Sequence, residues 1–295
     1  MSIAAPAPGD ASCTPRPAPR IGLALGGGSA RGLAHVVVLE AFDQLGIRPS
    51  LIAGTSMGAI CGAAYAAGLS AAQLGEHCAE LFDSRARFFR RLARGLRGGF
   101  TALWSPRRPN AIDNVTLFEM LLPNALRCDF AALRIPFLAV AADFYANAEV
   151  VIDSGPLIPA LAASCALPTL SRPGVRAGRV LIDGGYVNPL PYELIMQRAD
   201  VTVAVDVTFT AQRAIAPAAA ALPGTVQLLT GATQMLFRAL VREKLKTAAP
   251  DILIRPAVAA FGALDFFRWR EILAAAAPAR EELKGVLARV LARAR

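Results

Sequence analysis

Histidine is nearly absent from this chain. Only His35 and His77 occur in 295 residues, and nothing after position 77 can serve as an imidazole base. Cysteine is sparse too. Five residues (Cys13, Cys61, Cys78, Cys128, Cys165) are scattered with no C-x-x-C spacing, which argues against a zinc cluster and a disulfide framework. The same pattern fits a reducing compartment, so a cytoplasmic location is expected, with peripheral membrane contact as the variant. Charge is scarce at 18% and missing altogether from residues 49–75. A run that long raises a transmembrane reading. Its five glycines and two strand-to-helix signals are better explained by a buried strand followed by a buried helix. Residues 1–19 lack a continuous apolar stretch and a Lys/Arg-headed start, so they do not read as a signal peptide. Their alanine and proline content is expected to give a disordered tail.

Acids are missing from one further stretch. Residues 85–108 hold eight arginines, with Phe88, Phe89, Phe100 and Trp104 interleaved, inside a chain of net charge +9. Arginine among aromatics suits an anionic surface such as lipid headgroups, and equally a solvated helix face. No nucleic-acid recognition motif accompanies the charge, so nucleic acid is not an expected partner.

What the chain has in quantity is apolar strand and helix signal, with 55% hydrophobic residues, enough for a large core. Strands are expected at Ile21–Leu25, Leu51–Ala53, Phe137–Ala142, Val150–Ile152, Val180–Ile182, Val201–Val207 and Ile252–Ile254. Helices are expected over 33–45, 59–67, 110–122, 156–163 and 225–247, and as a C-terminal pair over 271–294 split at Pro278. A loop is expected over 211–224. Strands alternating with helices imply a three-layer α/β/α fold around a mostly parallel sheet.

Two glycine-rich turns stand out. Gly54-Thr55-Ser56-Met57-Gly58 has the G-x-S-x-G form of a nucleophile elbow, between an apolar strand and a helix. An α/β-hydrolase triad runs Ser, then acid, then His, and that histidine is missing here. The other turn, Gly26-Gly27-Gly28-Ser29-Ala30-Arg31-Gly32, follows the first strand. It departs from the dinucleotide spacing G-x-G-x-x-G, with Arg31 where glycine or alanine belongs. Backbone N–H groups at such a turn, beside a helix N-terminus, suit an oxyanion hole. Asp183-Gly184-Gly185 follows another strand. Asp183 is either a base within reach of a serine or the start of a simple turn. His35 reads as a structural hydrogen-bonder, His77 shows no second ligand at metal spacing, and Cys61 reads as packing. Asp143 and Asp153 read as turn or cap residues.

With these residues in hand the chain resembles the patatin-like phospholipase family. GGGSARG (26–32), GTSMG (54–58) and DGG (183–185) occur in the family's order. Ile135-Pro136-Phe137, the segment Ala163-Ser164-Cys165-Ala166-Leu167-Pro168, Asn188-Pro189-Leu190-Pro191 and Ala199-Asp200-Val201 support them. The resemblance implies a catalytic domain over 20–256, with 85–108 as a basic insertion and 257–295 as a helical extension packed on it. It implies a serine lipid acyl hydrolase with a Ser–Asp dyad, no cofactor and no metal. By position Ser56 is the nucleophile and Asp183 the base. Oxyanion donors come from Gly26, Gly27 and Gly28, helped by Met57, while Arg31, Gly54, Gly58, Gly184 and Gly185 complete the motifs. The implied substrate is a fatty-acyl ester or phospholipid, with contact to an anionic membrane through 85–108. Acyl transfer on the same dyad and a non-catalytic scaffold are the alternatives. Ser29 replaces a glycine common in the family. If that position needs a left-handed backbone, serine costs about 1 kcal/mol there.

Overall fold

In the computed structural model, residues 19–95, 113–168, 170–209 and 224–294 are described. The N-terminal tail up to residue 18, residues 96–112 of the basic stretch (with Phe100 and Trp104) and residues 210–223 of the expected loop lie outside them.

The first strand, β1 (Ile21–Leu25), leads through the glycine turn and a 3-10 turn (Ser29–Ala34) into α1 (His35–Leu45). α1 ends at Gly46 in the left-handed conformation, φ 65°, as a C-terminal glycine cap should. β2 (Leu51–Thr55) runs into α2 (Met57–Ala66), then α3 (Ala71–Phe82), α4 (Arg85–Gly95) and α5 (Asn114–Leu121). Next come β3 (Phe137–Asp143), β4 (Ala148–Ile152), α6 (Leu157–Ser164), β5 (Gly174–Arg176) and β6 (Arg179–Asp183). The short α7 (Glu193–Met196), β7 (Val201–Val205), α8 (Thr225–Thr247), β8 (Ile252–Ile254) and α9 (Trp269–Ala294) complete the order.

Eight strands form one sheet in the order β5-β6-β3-β2-β1-β7-β8, with β4 also paired to β3. β3, β2, β1, β7 and β8 are mutually parallel, β4 and β6 run antiparallel to β3, and β5 runs antiparallel to β6. The expected mostly parallel sheet between two helical layers is therefore what forms. Strand alternation sends the side chains to two faces. Leu23, Leu25, Ile52, Phe137, Val203 and Val205 face the larger core with α1, α2 and α9. The opposite face presents Ala24, Ala53 and Ala204 to Tyr192, Ile195 and Val241 of the α7–α8 layer. Small residues there let α7 sit close to the sheet.

The C-terminal segment differs from expectation. α9 is one helix that runs straight through Pro278. A proline removes one helical N–H and leaves the carbonyl four residues back unpaired. Pro278 and Ala274 both face solvent, so water satisfies that carbonyl. The buried stripe Ile272, Ala276, Ala279, Leu283 and Leu287 packs into the main core on both sides of the proline. Continuous burial outweighs one lost bond.

The basic stretch is also partly reassigned. Phe88 and Phe89 of α4 belong to a cluster with Phe82, Phe266 and Phe267, with ring centroids 5.5–6.2 Å apart. The Arg85 guanidinium stacks on Phe267 at 5.0 Å. These aromatics fasten α4 to the 3-10 turn before α9, and Arg85, Arg87 and Arg90 face outward.

Candidate active site

Sheet register brings the predicted residues together. Gly54 pairs with Leu25, and Thr55 with Val140 of β3. On the far side of β3, Ala141 pairs with Asp183. Ser56 and Asp183 therefore stand at one level of the sheet across a single strand, and the Gly26–Gly28 turn stands beside them above β1. The sequence puts Asp183 at the carboxyl end of a strand without giving that strand a direction. β6 is antiparallel, and the carboxylate reaches the same level from the opposite direction.

Ser56 lies between β2 and α2 with φ 55° and ψ −124°. Such a conformation costs about 1–3 kcal/mol and persists only where neighbours enforce it. Gly58 is one enforcer. A β-carbon there would stand 2.1 Å from the Leu25 carbonyl oxygen. One at Gly54 would meet the Ala59 Cα and the Gly58 carbonyl oxygen at 2.6 Å. The turn closes only because both side chains are absent.

The Ser56 hydroxyl donates to Asp183 Oδ2 at 2.6 Å. The other carboxylate oxygen accepts the Gly185 N–H at 2.8 Å. Asp183 is fully buried and Ser56 is 5% exposed. Burial raises the Asp183 carboxyl to about 6, against the pull of its bonds from Ser56 and Gly185. It is thus mostly ionised at neutral pH, close enough to neutrality to take up a proton.

The 163–168 segment ties the two halves. Ser164 Oγ accepts the Ser56 N–H at 2.9 Å, and the Ala166 carbonyl accepts the Asp183 N–H at 3.0 Å. The Cys165 thiol lies against both side chains. Its burial and the Asp183 charge push it well above the usual thiol range, so it stays protonated. Ser164 was visible in the sequence as part of a motif, but no pattern assigned it this bond. Ser164→Ala strands a buried N–H, an expected loss of about 1–3 kcal/mol. Urea unfolding should show a lower midpoint, and kcat should fall with the shifted Ser56 backbone.

The glycine turn is held from three sides. His35 Nε2–H donates to the Gly26 carbonyl at 2.8 Å, and burial lowers its pKa to about 4, so the ring is neutral. The Gly26 N–H is bonded to the Val205 carbonyl and the Gly27 N–H to the Pro189 carbonyl, at 3.1 and 2.9 Å. Those two amides were expected to be oxyanion donors and are already engaged. Among the described residues no protein acceptor takes the amides of Gly28 and Met57, which narrows the candidate donors to these two. Ser29 has φ 50°, the left-handed backbone that serine tolerates poorly.

Residues 188–190 brace this arrangement. The Asn188 carbonyl accepts from Thr55 Oγ1 at 2.8 Å, next to the elbow serine. The Asn188 side chain is held by Glu149, Glu193 and Lys244. Arg31 is buried and donates to Gln234 Oε1 of α8 at 2.7 Å. Beside the glycine turn lies a cavity of about 240 Å³, lined by Ser29, Leu167, Tyr186, Leu229, Thr233 and Gln234 among others. Asp143 accepts the N–H groups of Tyr145 and Ala146, a turn role. His77 bonds the Leu121 carbonyl. No cluster of metal-ligating side chains occurs among the described residues.

Comparison with known proteins places this geometry. A family model described as patatin-like phospholipase matches residues 23–196. Uncharacterized NTE family proteins of Mycobacterium bovis and Mycobacterium tuberculosis are 37% identical over 203 residues, covering 68% of this chain and 52% of theirs. The chain thus spans about half the length of these relatives. Neuropathy target esterase sws of Drosophila melanogaster is 30% identical over 59% of this chain and 12% of its own. Among solved structures, VipD from Legionella pneumophila superposes with TM-score 0.47 at 12% identity, over 92% of this chain and 67% of that one. The family match runs through the glycine turn, the elbow and the strand that ends in Asp183, and the chain belongs to the patatin-like phospholipase family.

Proposed function

We propose that the chain is a serine hydrolase of fatty-acyl esters, of phospholipase, lysophospholipase or carboxylesterase type, working through Ser56 and Asp183. The observation that carries this reading is the 2.6 Å bond from the Ser56 hydroxyl to a buried carboxylate whose pKa is raised to about 6. Family membership and esterase-named relatives support the reaction class.

Ser56 Oγ attacks the ester carbonyl while its proton passes to Asp183 Oδ2. The Gly28 and Met57 amides, with the positive end of α2, stabilise the oxyanion. Collapse returns the proton to the departing alcohol and leaves acyl-Ser56. Asp183 then deprotonates a water that attacks the acyl group, and Ser56 is regenerated. No imidazole is needed, because the carboxylate touches the hydroxyl directly. His35 is committed to Gly26 and stays neutral. The cavity beside Ser29 is mainly apolar and receives part of the acyl substrate. The arginines of residues 85–108 draw the protein toward anionic headgroups.

Hydrolysis of p-nitrophenyl acyl esters of increasing chain length tests this. Turnover by the wild type that disappears in Ser56→Ala is expected. Turnover that persists in Ser56→Ala refutes the assignment.

A further inference from the structure

Most exposed large apolar side chains on a folded surface are isolated and need no explanation. The N-terminal half of α8 is different. Val226, Leu228, Leu229, Met235 and Leu236 are all exposed, with Leu228 at 56% and Met235 at 67%. No charged residue occurs from Thr225 to Phe237. The outer side of this half-helix is therefore uncharged and rich in large apolar side chains, while Gln234 and Phe237 pack inward.

This half-helix lines the cavity beside the glycine turn with Leu229, Thr230, Thr233 and Gln234, and Ala263 closes the other wall. Leu229 is exposed as well, so the cavity opens on the apolar face. The wall continues along the chain into Leu264, itself half exposed, and past Asp265 into Phe266, which stacks on Phe82 of α3, and Phe267, which packs on Phe88 and Phe89 of α4. The cavity mouth thus has an uncharged apolar helix on one side. Further along the same rim, beyond Phe267, lies α4, whose Arg85, Arg87 and Arg90 are exposed. No helix among the described residues is long and apolar enough to cross a membrane.

We infer that the N-terminal half of α8, Leu264 and the outward arginines of α4 form one face that docks on an anionic phospholipid bilayer, with the cavity mouth against the lipid. Apolar insertion beside a cationic flank is what an interfacial element requires. The acids of this rim, Asp83 and Asp265, are paired with Arg270 and Arg268, so the outward Arg85, Arg87 and Arg90 leave it cationic, which favours an anionic lipid surface over a protein partner or a second copy. The choice of a lipid over another surface rests on the acyl-hydrolase reading. The face also deepens that reading, because the acyl chain passes from bilayer to cavity without crossing water.

The test is co-sedimentation of the full chain with phosphatidylcholine vesicles and with mixed phosphatidylcholine–phosphatidylglycerol vesicles, alongside turnover of a soluble short-chain ester. Wild type and Ser56→Ala should bind the mixed vesicles equally well, since docking needs no chemistry. Leu228→Asp with Met235→Asp should lower partitioning more than about tenfold on both vesicle types. Arg87→Glu with Arg90→Glu should lower it by a similar factor on the anionic vesicles only, about fivefold or more per charge. Circular dichroism melts check that each variant folds, and the α4 pair keeps the test alive if the α8 pair does not. Undiminished vesicle binding in both pairs, or no binding by the wild type, overturns the inference. So does a wild-type dimer that the α8 pair converts to monomer, which would assign the face to self-association. Ester turnover without vesicle binding sinks the docking face alone. Vesicle binding without turnover sinks the hydrolase reading alone.

Discussion

Asp183→Asn is expected to abolish ester turnover and, at the same time, to raise the melting temperature at pH 7.5. The loss follows from the geometry. An amide cannot accept the proton that leaves Ser56, and removal of a general base costs roughly 10²–10⁴-fold. The gain follows from burial. Asp183 is fully buried and its carboxyl is raised from 3.8 to about 6. Between those values the folded state binds more protons than the unfolded one, so stability falls as pH rises through about 6. The favourable contribution is fully present below about pH 4 and absent above about pH 7. At pH 7.5 the wild type carries the charge at a cost of roughly 2–3 kcal/mol. Asparagine removes it. The asparagine oxygen still accepts from Gly185, and its amide donates to Ser56 Oγ in the reversed direction. A rise of about 2–6 °C is expected in a chain of this size. At pH 4.5 the difference should shrink, because Asp183 is then protonated. His35 titrates in both proteins and cancels. A lower melting temperature for Asp183→Asn at pH 7.5 would contradict the burial argument. The same base makes wild-type kcat/KM climb with pH through about 6 and then level off.

Gly58→Ala is expected to be severely damaging. The added carbon would lie 2.1 Å from the Leu25 carbonyl oxygen, at the end of the central strand β1. Neither partner is a flexible side chain. Overpacking against side chains costs about 1–3 kcal/mol. Against backbone the loss should be at least about 4 kcal/mol, in the exceptional range for point mutations. Any relaxation must move α2 away from β1, which carries Ser56 off Asp183. Gly75→Ala is the control. It lies inside α3, where a β-carbon would meet nothing within 4 Å. There alanine should stabilise by about 0.5–1 kcal/mol. Urea midpoints for the two variants should move in opposite directions.

The parts of the site that were legible beforehand are those that leave a mark on local sequence. β1 and β2 are short apolar runs, and each turn after them must be glycine-rich because backbone passes against backbone. Asp183 could be named for a similar reason, since it ends a strand and precedes two glycines. What local pattern could not convey was direction and partnership. β6 reads as a strand in either orientation, and only its register with β3 puts Asp183 level with Ser56. Ser164 is an ordinary helix-end serine until Ser56 N–H is seen to need an acceptor. Gly26 and Gly27 look like free donors in a glycine turn, but Val205 and Pro189, from distant strands and loops, take their N–H groups. Pro278 carries a strong local signal to stop a helix, and tertiary burial of the stripe on either side overrides it. The arginine–phenylalanine stretch reads locally as a docking patch or as a solvated helix face. Its described phenylalanines pack against Phe266 and Phe267 from the far end of the chain, separations over which sequence periodicity says nothing.

The claim on which the rest depends is that Asp183 activates Ser56 for covalent attack. A fluorophosphonate probe followed by peptide mass analysis measures this directly. The wild type should be modified at Ser56 within a single turnover, Ser56→Ala should stay unmodified, and Asp183→Asn should react at least about 10²-fold more slowly. A folded wild type left unmodified at Ser56, or Asp183→Asn modified as fast as wild type, would contradict the account.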